Sequence, residues 1–201
     1  HILSIYQTAG EHLSAVILFM AVLVMKDEIC EISIDEYSKC SDIWNMETCP
    51  FTEDFKNQIK AGNRFVYIYK KNNMFLGEVD LVTEMNEKGY TIKGKRIYLS
   101  RLIVKKEYRK QGIGNKLIEF AVNKATQFGY SEISLGVNCD NHAAYRLYLN
   151  NGFFVFETAR DEYGKYYKML KNVKGSDMNV EPQGNAGHYD QKAPAQRDQG
   201  K

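Results

Sequence analysis

The stretch Leu102 to Lys116 (LIVKKEYRKQGIGNK) has residue types and a spacing that suit an anion. A strand-like run delivers the chain to a turn containing Arg109, Gly112 and Gly114, and a long helical pattern starts there. The first N–H groups of a helix have no backbone acceptor and carry the positive end of its dipole, so they suit a phosphate. Glycine allows a pyrophosphate to approach backbone that a Cβ would shield. Arg109, Lys110 and Lys116 add positive charge around the same spot. Two nucleotide motifs fail on spacing. A G-x-x-x-x-G-K-[ST] loop would need Lys116 directly after a glycine, and a dinucleotide fingerprint would need a third glycine where Leu117 stands. The plain alternative is a glycine turn that only lets helix pack on strand.

A second informative stretch is Leu135 to Phe153 (LGVNCDNHAAYRLYLNNGF). Asn141 is placed to cap a helix whose inner face holds Ala144, Leu147 and Tyr148. Tyr148 lies one turn beyond Ala144 on that face, which would aim its hydroxyl at a cleft by the strand end. Taken singly, Asn141 as a mere cap and Tyr148 as mere packing serve equally well.

The elements that must position these residues alternate. Ile29–Ile34 reads as a strand, Asp35 to Trp44 as a helix, and Glu53–Ala61 as a second helix stopped by Gly62. Arg64–Lys70 and Met74–Glu84 read as a hairpin about Lys71-Asn72-Asn73, and Asn86 to Gly94 as a polar loop or hairpin end. Lys95–Lys105 is apolar on both faces at its far end, as suits a central strand. Gly112 to Phe128 repeats apolar residues at helical spacing. Glu132–Val137 is a strand, Asn141–Asn150 a short helix, and Phe153–Thr158 with Lys165–Leu170 a closing hairpin. The fold class is mixed α/β around one sheet.

The 201 residues make room for one domain, with 44% hydrophobic residues and abundant aromatics to fill a core. Net charge is only +2, which gives no case for a dedicated nucleic-acid binder. The charge is uneven: Lys95 to Lys124 carries 9 basic residues against 2 acidic, which suits a local anionic ligand or a solvated helix face. Cys30, Cys40, Cys49 and Cys139 fall at no metal-binding or disulfide-framework spacing, so no metal is expected, and free thiols imply a reducing cytoplasm. Residues 1–25 form an apolar extension with one charge, Glu11, expected to lie outside the functional fold. Its apolar run, Leu13 to Met25, is too short for a membrane span and lacks the flanking charge of a signal peptide. Residues 175–201 are too poor in aliphatic side chains to fold, so a disordered tail is expected, and function is assigned to 26–174.

Together, Arg109-x-x-Gly112-x-Gly114 after a strand, and Asn141-x-x-Ala144-x-x-x-Tyr148 with Gly152-Phe153 behind it, resemble the GCN5-related N-acetyltransferase superfamily. The resemblance implies one splayed mixed sheet of six or seven strands flanked by about four helices. It further implies acetyl-CoA as the acetyl donor. The pantetheine arm would lie between Arg96–Val104 and Glu132–Val137 and bond to the backbone of Leu102, Ile103 and Val104. The pyrophosphate would sit on the amides of Gln111, Gly112, Ile113, Gly114 and Asn115, with Arg109, Lys110 and Lys116 alongside. Asn141 would steady the pantetheine, and Tyr148 would protonate the departing thiolate.

Acyl transfer needs a neutral amine, a polarised carbonyl and a proton for sulfur. Glu78, Asp80, Glu84 and Ser100 are the candidates to order a water that deprotonates the amine, and each is equally readable as a surface residue. The ribosomal-protein acetyltransferases of this family look to carry a glutamate just before the position of Val137; here that residue is Gly136. Acceptors in such enzymes approach past the first two helices, here Asp35–Gly62. Asp42, Glu47, Glu53 and Asp54 with Trp44 and Phe51 would suit a cationic amine: a polyamine, an aminoglycoside, an amino acid or a protein amine. An acyl-CoA-sensing module without catalysis is the alternative, and a duplex-binding domain resting on Lys95–Lys124 is a further rival. No membrane partner is expected; the oligomeric state is open, a homodimer included.

Overall fold

The computed structural model describes residues 27–173. The expectations for the extension 1–25 and the tail 175–201 lie outside the described residues. The strands are β1 (Glu28–Glu31), β2 (Arg64–Lys71), β3 (Met74–Val82), β4 (Arg96–Val104), β5 (Glu132–Asn138), β6 (Phe154–Asp161) and β7 (Gly164–Asn172). They form one sheet in the order β1-β2-β3-β4-β5-β7-β6. Every neighbouring pair is antiparallel except β4 and β5. That parallel pair needs a crossover, supplied by the long helix. The helices are α1 (Thr52–Lys60), α2 (Ile113–Gln127) and α3 (His142–Asn150).

The β2–β3 turn follows from Asn72 and Asn73, whose φ values of 51° and 61° give the left-handed pair that a tight hairpin needs. One face of the sheet is covered by α2, whose Leu117, Ile118, Ala121 and Ala125 pack on Val79, Leu81, Leu99 and Leu102. The other face carries a second core, in which Tyr37, Cys40 and Phe55 meet Val66 and Ile68. The first expected helix differs from its reading. Tyr37–Asp42 is a 3₁₀ segment, and its two buried residues, Tyr37 and Cys40, stand three apart. That spacing matches three residues per turn, and no side-chain cap holds the start. β6 also runs three residues past Thr158, to Asp161.

Candidate active site

β4 and β5 part company halfway. Their ladder runs only from Arg96↔Glu132 to Leu99↔Leu135. Beyond it, β4 pairs with β3 alone and β5 with β7 alone. The cause is local: Asp80 faces Arg101 and Leu81 faces Leu99, so Ser100 is an extra residue in β4. A bulge bends the strand that carries it and breaks pairing at that point. The resulting V is edged by Leu102–Val104 on one side and Gly136–Asn138 on the other, and an extended polar chain can bond to such edges. The Leu102 side chain lies in the α2-side core, and Ile103 is buried in the adjacent register position.

At the mouth of the V, Arg109 Nε donates to the Val104 carbonyl at 3.0 Å, folding the turn onto the strand end. Lys110 has φ 63°, and Gly112, the residue before α2, has φ 82°. The first helical bond runs from Lys116 N–H to the Gly112 carbonyl (3.1 Å), and no side chain caps the start. The amides ahead of it, through Ile113, Gly114 and Asn115, therefore point out of the helix without a helical acceptor. A Cβ on Gly112 would meet nothing within 4 Å, so the space before these amides is open. Open, orphaned amides at a helix N-terminus fit a diphosphate such as that of coenzyme A.

Some side chains in this loop already have partners. Gln111 Nε2 donates weakly to the Glu107 carbonyl at 3.4 Å. Asn115 Oδ1 accepts from Asn151 Nδ2 at 2.9 Å, and Leu147 sits 3.2 Å from where a Cβ on Gly114 would stand. These two contacts seat α3 against the start of α2. Lys116 Nζ reaches Asp27 at 3.2 Å and the Tyr69 hydroxyl of β2 at 3.3 Å. Backbone, with Arg109 and Lys110 beside it, is what faces an anion here.

Across the V, Asn141 caps α3: its Oδ1 accepts from Ala144 N–H at 3.1 Å. Tyr148 is 2% exposed, and its ring meets Phe153 edge-on at 5.9 Å. Tyr145 stacks at a tilt on Tyr167 of β7, 5.0 Å between centroids.

Of the four proton-acceptor candidates, three converge. Glu78, Asp80 and Ser100 are buried together on the face opposite α2, beneath the 3₁₀ segment and α1. Glu84 is apart, exposed past the end of β3 with its backbone held by Asn63. Arg64, at the start of β2, is fully committed: it ion-pairs with Asp80, donates to Ser100 Oγ at 3.1 Å, and donates to Gln58 at 2.9 Å. Glu78 accepts from the Trp44 indole N–H at 2.7 Å and lies 3.4 Å from Arg101 Nε. Burial drives the Glu78 carboxyl up to about 7, with the neighbouring Asp80 charge adding to it; Arg101, the indole and Cys40 pull the other way. Sequence reasoning missed Arg64 and Arg101. The signal was present in β3, where Glu78 and Asp80 alternate with Gly77, Val79 and Leu81. Two acids on one face of an apolar strand need buried partners.

The structure also accounts for Gly136. A Cβ there would lie 2.5 Å from the Tyr90 hydroxyl and 3.3 Å from Cζ. Tyr90, from the loop before β4, is fully buried against Tyr98 (4.4 Å) and fills the space a larger side chain would need. On the expected acceptor side, Asp42, Glu47, Glu53 and Asp54 are exposed, and Trp44 and Phe51 half-buried. Ser41, Asp42, Trp44 and Glu47 belong to the rim of an open hollow of about 470 Å³. No cluster of metal-ligating side chains occurs among the described residues, and no helix there is long and apolar enough to cross a membrane.

Comparison with known proteins bears on this geometry. The chain is 28% identical over 105 residues to GCN5-related N-acetyltransferase 7, chloroplastic, of Arabidopsis thaliana, covering 52% of this chain and 36% of that one. It is 34% identical over 89 residues to N-alpha-acetyltransferase 30 of Schizosaccharomyces pombe, covering 44% of this chain and 57% of that one. The chain thus spans roughly a third to just over half the length of these curated relatives. In fold it is similar to an aminoglycoside 6'-N-acetyltransferase complexed with coenzyme A: TM-score 0.60 at 14% identity, over 75% of this chain and 99% of that one. Residues 26–153, well over half of the chain, match the Acetyltransferase (GNAT) family. A split parallel strand pair feeding an uncapped, glycine-led helix is therefore met by sequence likeness over the same residues, and the chain belongs to the GNAT acetyltransferase family.

Proposed function

We propose that the protein moves the acetyl group of acetyl-CoA directly to a primary amine, with residues 26–174 as the catalytic unit. The observation that carries this is the V between β4 and β5 ending at the open amides of α2. Leu102, Ile103 and Val104 offer backbone to the pantetheine arm. The amides of Gln111 to Asn115 take the diphosphate with Arg109 and Lys110 beside them, and Lys116 adds charge from the second row. Asn141 uses its Oδ1 as a cap, so its amide nitrogen is the part that steadies the pantetheine. Tyr148 gives its proton to the leaving thiolate; the phenol is a weaker acid than a thiol, so it assists only as the charge develops. The acceptor is a small cationic amine of polyamine, aminoglycoside or amino-acid type or an amine on a protein, drawn by the exposed acids at the hollow. A reducing, cytoplasmic setting is proposed from the sparse cysteines, which fall at no disulfide-framework spacing.

The test is thiol release from acetyl-CoA against polyamines, aminoglycosides, amino acids and amine-bearing peptides, with and without Tyr148→Phe. Amine-dependent release that weakens in the variant is expected. Tight coenzyme A binding with no amine-stimulated release would instead make the protein an acyl-CoA sensor, and no binding at all would overturn the reading.

A further inference from the structure

Glu78 sits level with Ile103, beside the β4 backbone that edges the V, and its side chain has no exposure. The groups facing it come from every element around it. Cys40 lies on the 3₁₀ segment, Asp80 on its own strand and Arg101 on β4; Tyr37 and Arg64 are close by, and Arg64 is spent on Asp80, Ser100 and Gln58. Trp44 covers it as well. Trp44 belongs to the irregular stretch between the 3₁₀ segment and α1, is half-buried, and is among the residues lining the open hollow. Its indole donates one N–H to Glu78 Oε2 at 2.7 Å. The Arg101 guanidinium lies 3.9 Å over the indole, and Phe55 meets it edge-on at 6.5 Å. Turning the indole aside would join the hollow to the carboxylate through a slot one aromatic ring thick.

We propose that Trp44 is a lid whose indole N–H holds, on Glu78 Oε2, the place of the acceptor nitrogen, and that the acceptor is a primary ammonium at the end of an unbranched methylene chain. Only an N–H donor replaces an N–H donor on a buried carboxylate without leaving it unsatisfied. Arg101 also packs over the Phe55 ring at 5.0 Å, so the space that opens is only the one the indole leaves. Its single-ring thickness takes a methylene chain but not an amine attached to a branched carbon. Asp42 and Glu47 at the rim of the hollow draw the cation in. Glu78 then takes one proton from the ammonium: an N–H bond breaks, an O–H bond forms, and the amine keeps its electron pair for attack. The proton passes to water when the product leaves. This inference rests on the acetyltransferase reading.

Trp44 is the only tryptophan in the chain, so its emission reports the lid directly. Cadaverine and Nα-acetyl-lysine amide are titrated into the full chain with coenzyme A present, and alanine amide serves as the branched control. The two unbranched amines are expected to shift the emission saturably, and alanine amide to leave it unchanged. Glu78→Gln, close in shape, should weaken both amines by 10-fold or more, while Trp44→Phe, which removes the competing donor, should lower their KM several-fold. A coenzyme A titration on each variant reports that it is folded. Emission indifferent to both unbranched amines, moved equally in Glu78→Gln, or moved as much by alanine amide would overturn the lid. Coenzyme A binding with a silent tryptophan removes the lid alone, whereas failure to bind coenzyme A removes the acetyltransferase reading beneath it.

Discussion

Replacing Glu78 by Gln should make the protein more stable at pH 8 than at pH 5, relative to the wild type. Burial lifts the Glu78 carboxyl from an ordinary 4.5 to about 7 in the fold. Between those values the folded chain holds a proton that the unfolded chain has lost, so stability falls as pH rises through this window. At 1.36 kcal/mol per pH unit, the whole shift amounts to about 3 kcal/mol, of which roughly 2–3 kcal/mol is lost between pH 5 and pH 8. Glutamine has the same shape and can still accept the Trp44 N–H, but it does not ionise. Any fixed cost of the substitution, such as the weakened partner for Arg101, is present at both pH values and cancels in the comparison. For a domain of this length the difference corresponds to a melting-temperature gap that widens by about 5–10 °C from pH 5 to pH 8. Circular dichroism melts of both proteins at the two pH values measure it. A gap that stays constant would show that Glu78 ionises normally in the fold and would remove the physical basis for treating it as a poised proton acceptor.

Tyr148→Phe keeps the ring against Phe153 and removes the hydroxyl, so turnover should fall roughly 10- to 1000-fold with coenzyme A affinity retained, read by thiol release and calorimetry. Gly136→Ala should destabilise the fold by about 1–3 kcal/mol, because its Cβ would meet the Tyr90 hydroxyl at 2.5 Å; pairing it with Tyr90→Phe should restore part of that loss in denaturant melts. Gly112→Ala adds a Cβ to a residue at φ 82° and should cost about 1–2 kcal/mol of stability, measured in the same way. Burial would raise the Glu132 carboxyl, but hydrogen bonds from Lys95 and Arg96 outweigh it and hold the group below its usual value. Its contribution is then present above the ordinary carboxylate range and lost as pH falls through the folded value, so Glu132→Gln should lower the melting temperature at pH 7 and have less effect at pH 3.

What was legible in the sequence was what neighbours in the chain decide. The turn Arg109 to Gly114, the cap at Asn141 and the helical stripe of α2 each depend on residues a few positions apart, and each appears where its spacing puts it. Capping at Asp35 predicts a helix to Trp44, but the spacing of Tyr37 and Cys40 makes it a shorter, 3₁₀ one over Tyr37–Asp42. The centre of the site was hidden for a different reason. Ser100 reads as an ordinary strand residue, and only its lack of a partner on β3 reveals the bulge that opens the V. Tyr90 and Gly136 explain one another across 46 positions, and neither is informative alone. Glu78 and Glu84 are the same residue type six apart, yet one is sealed beneath Trp44 and Arg101 and the other stands in water. Strand polarity is the cue that separates them. An acid that alternates with apolar residues inside a central strand has been taken out of water, and it persists there only if the fold supplies donors. In this chain Trp44 donates to Glu78 while Arg101 ion-pairs with it, and Arg64 donates to Asp80. The Arg64 guanidinium is held by buried Asp80 and Ser100 and by half-buried Gln58, whereas the donor from Trp44 comes from a residue lining an open hollow. This difference in cover is why the exchange of partners is sought at Glu78 and not at Asp80.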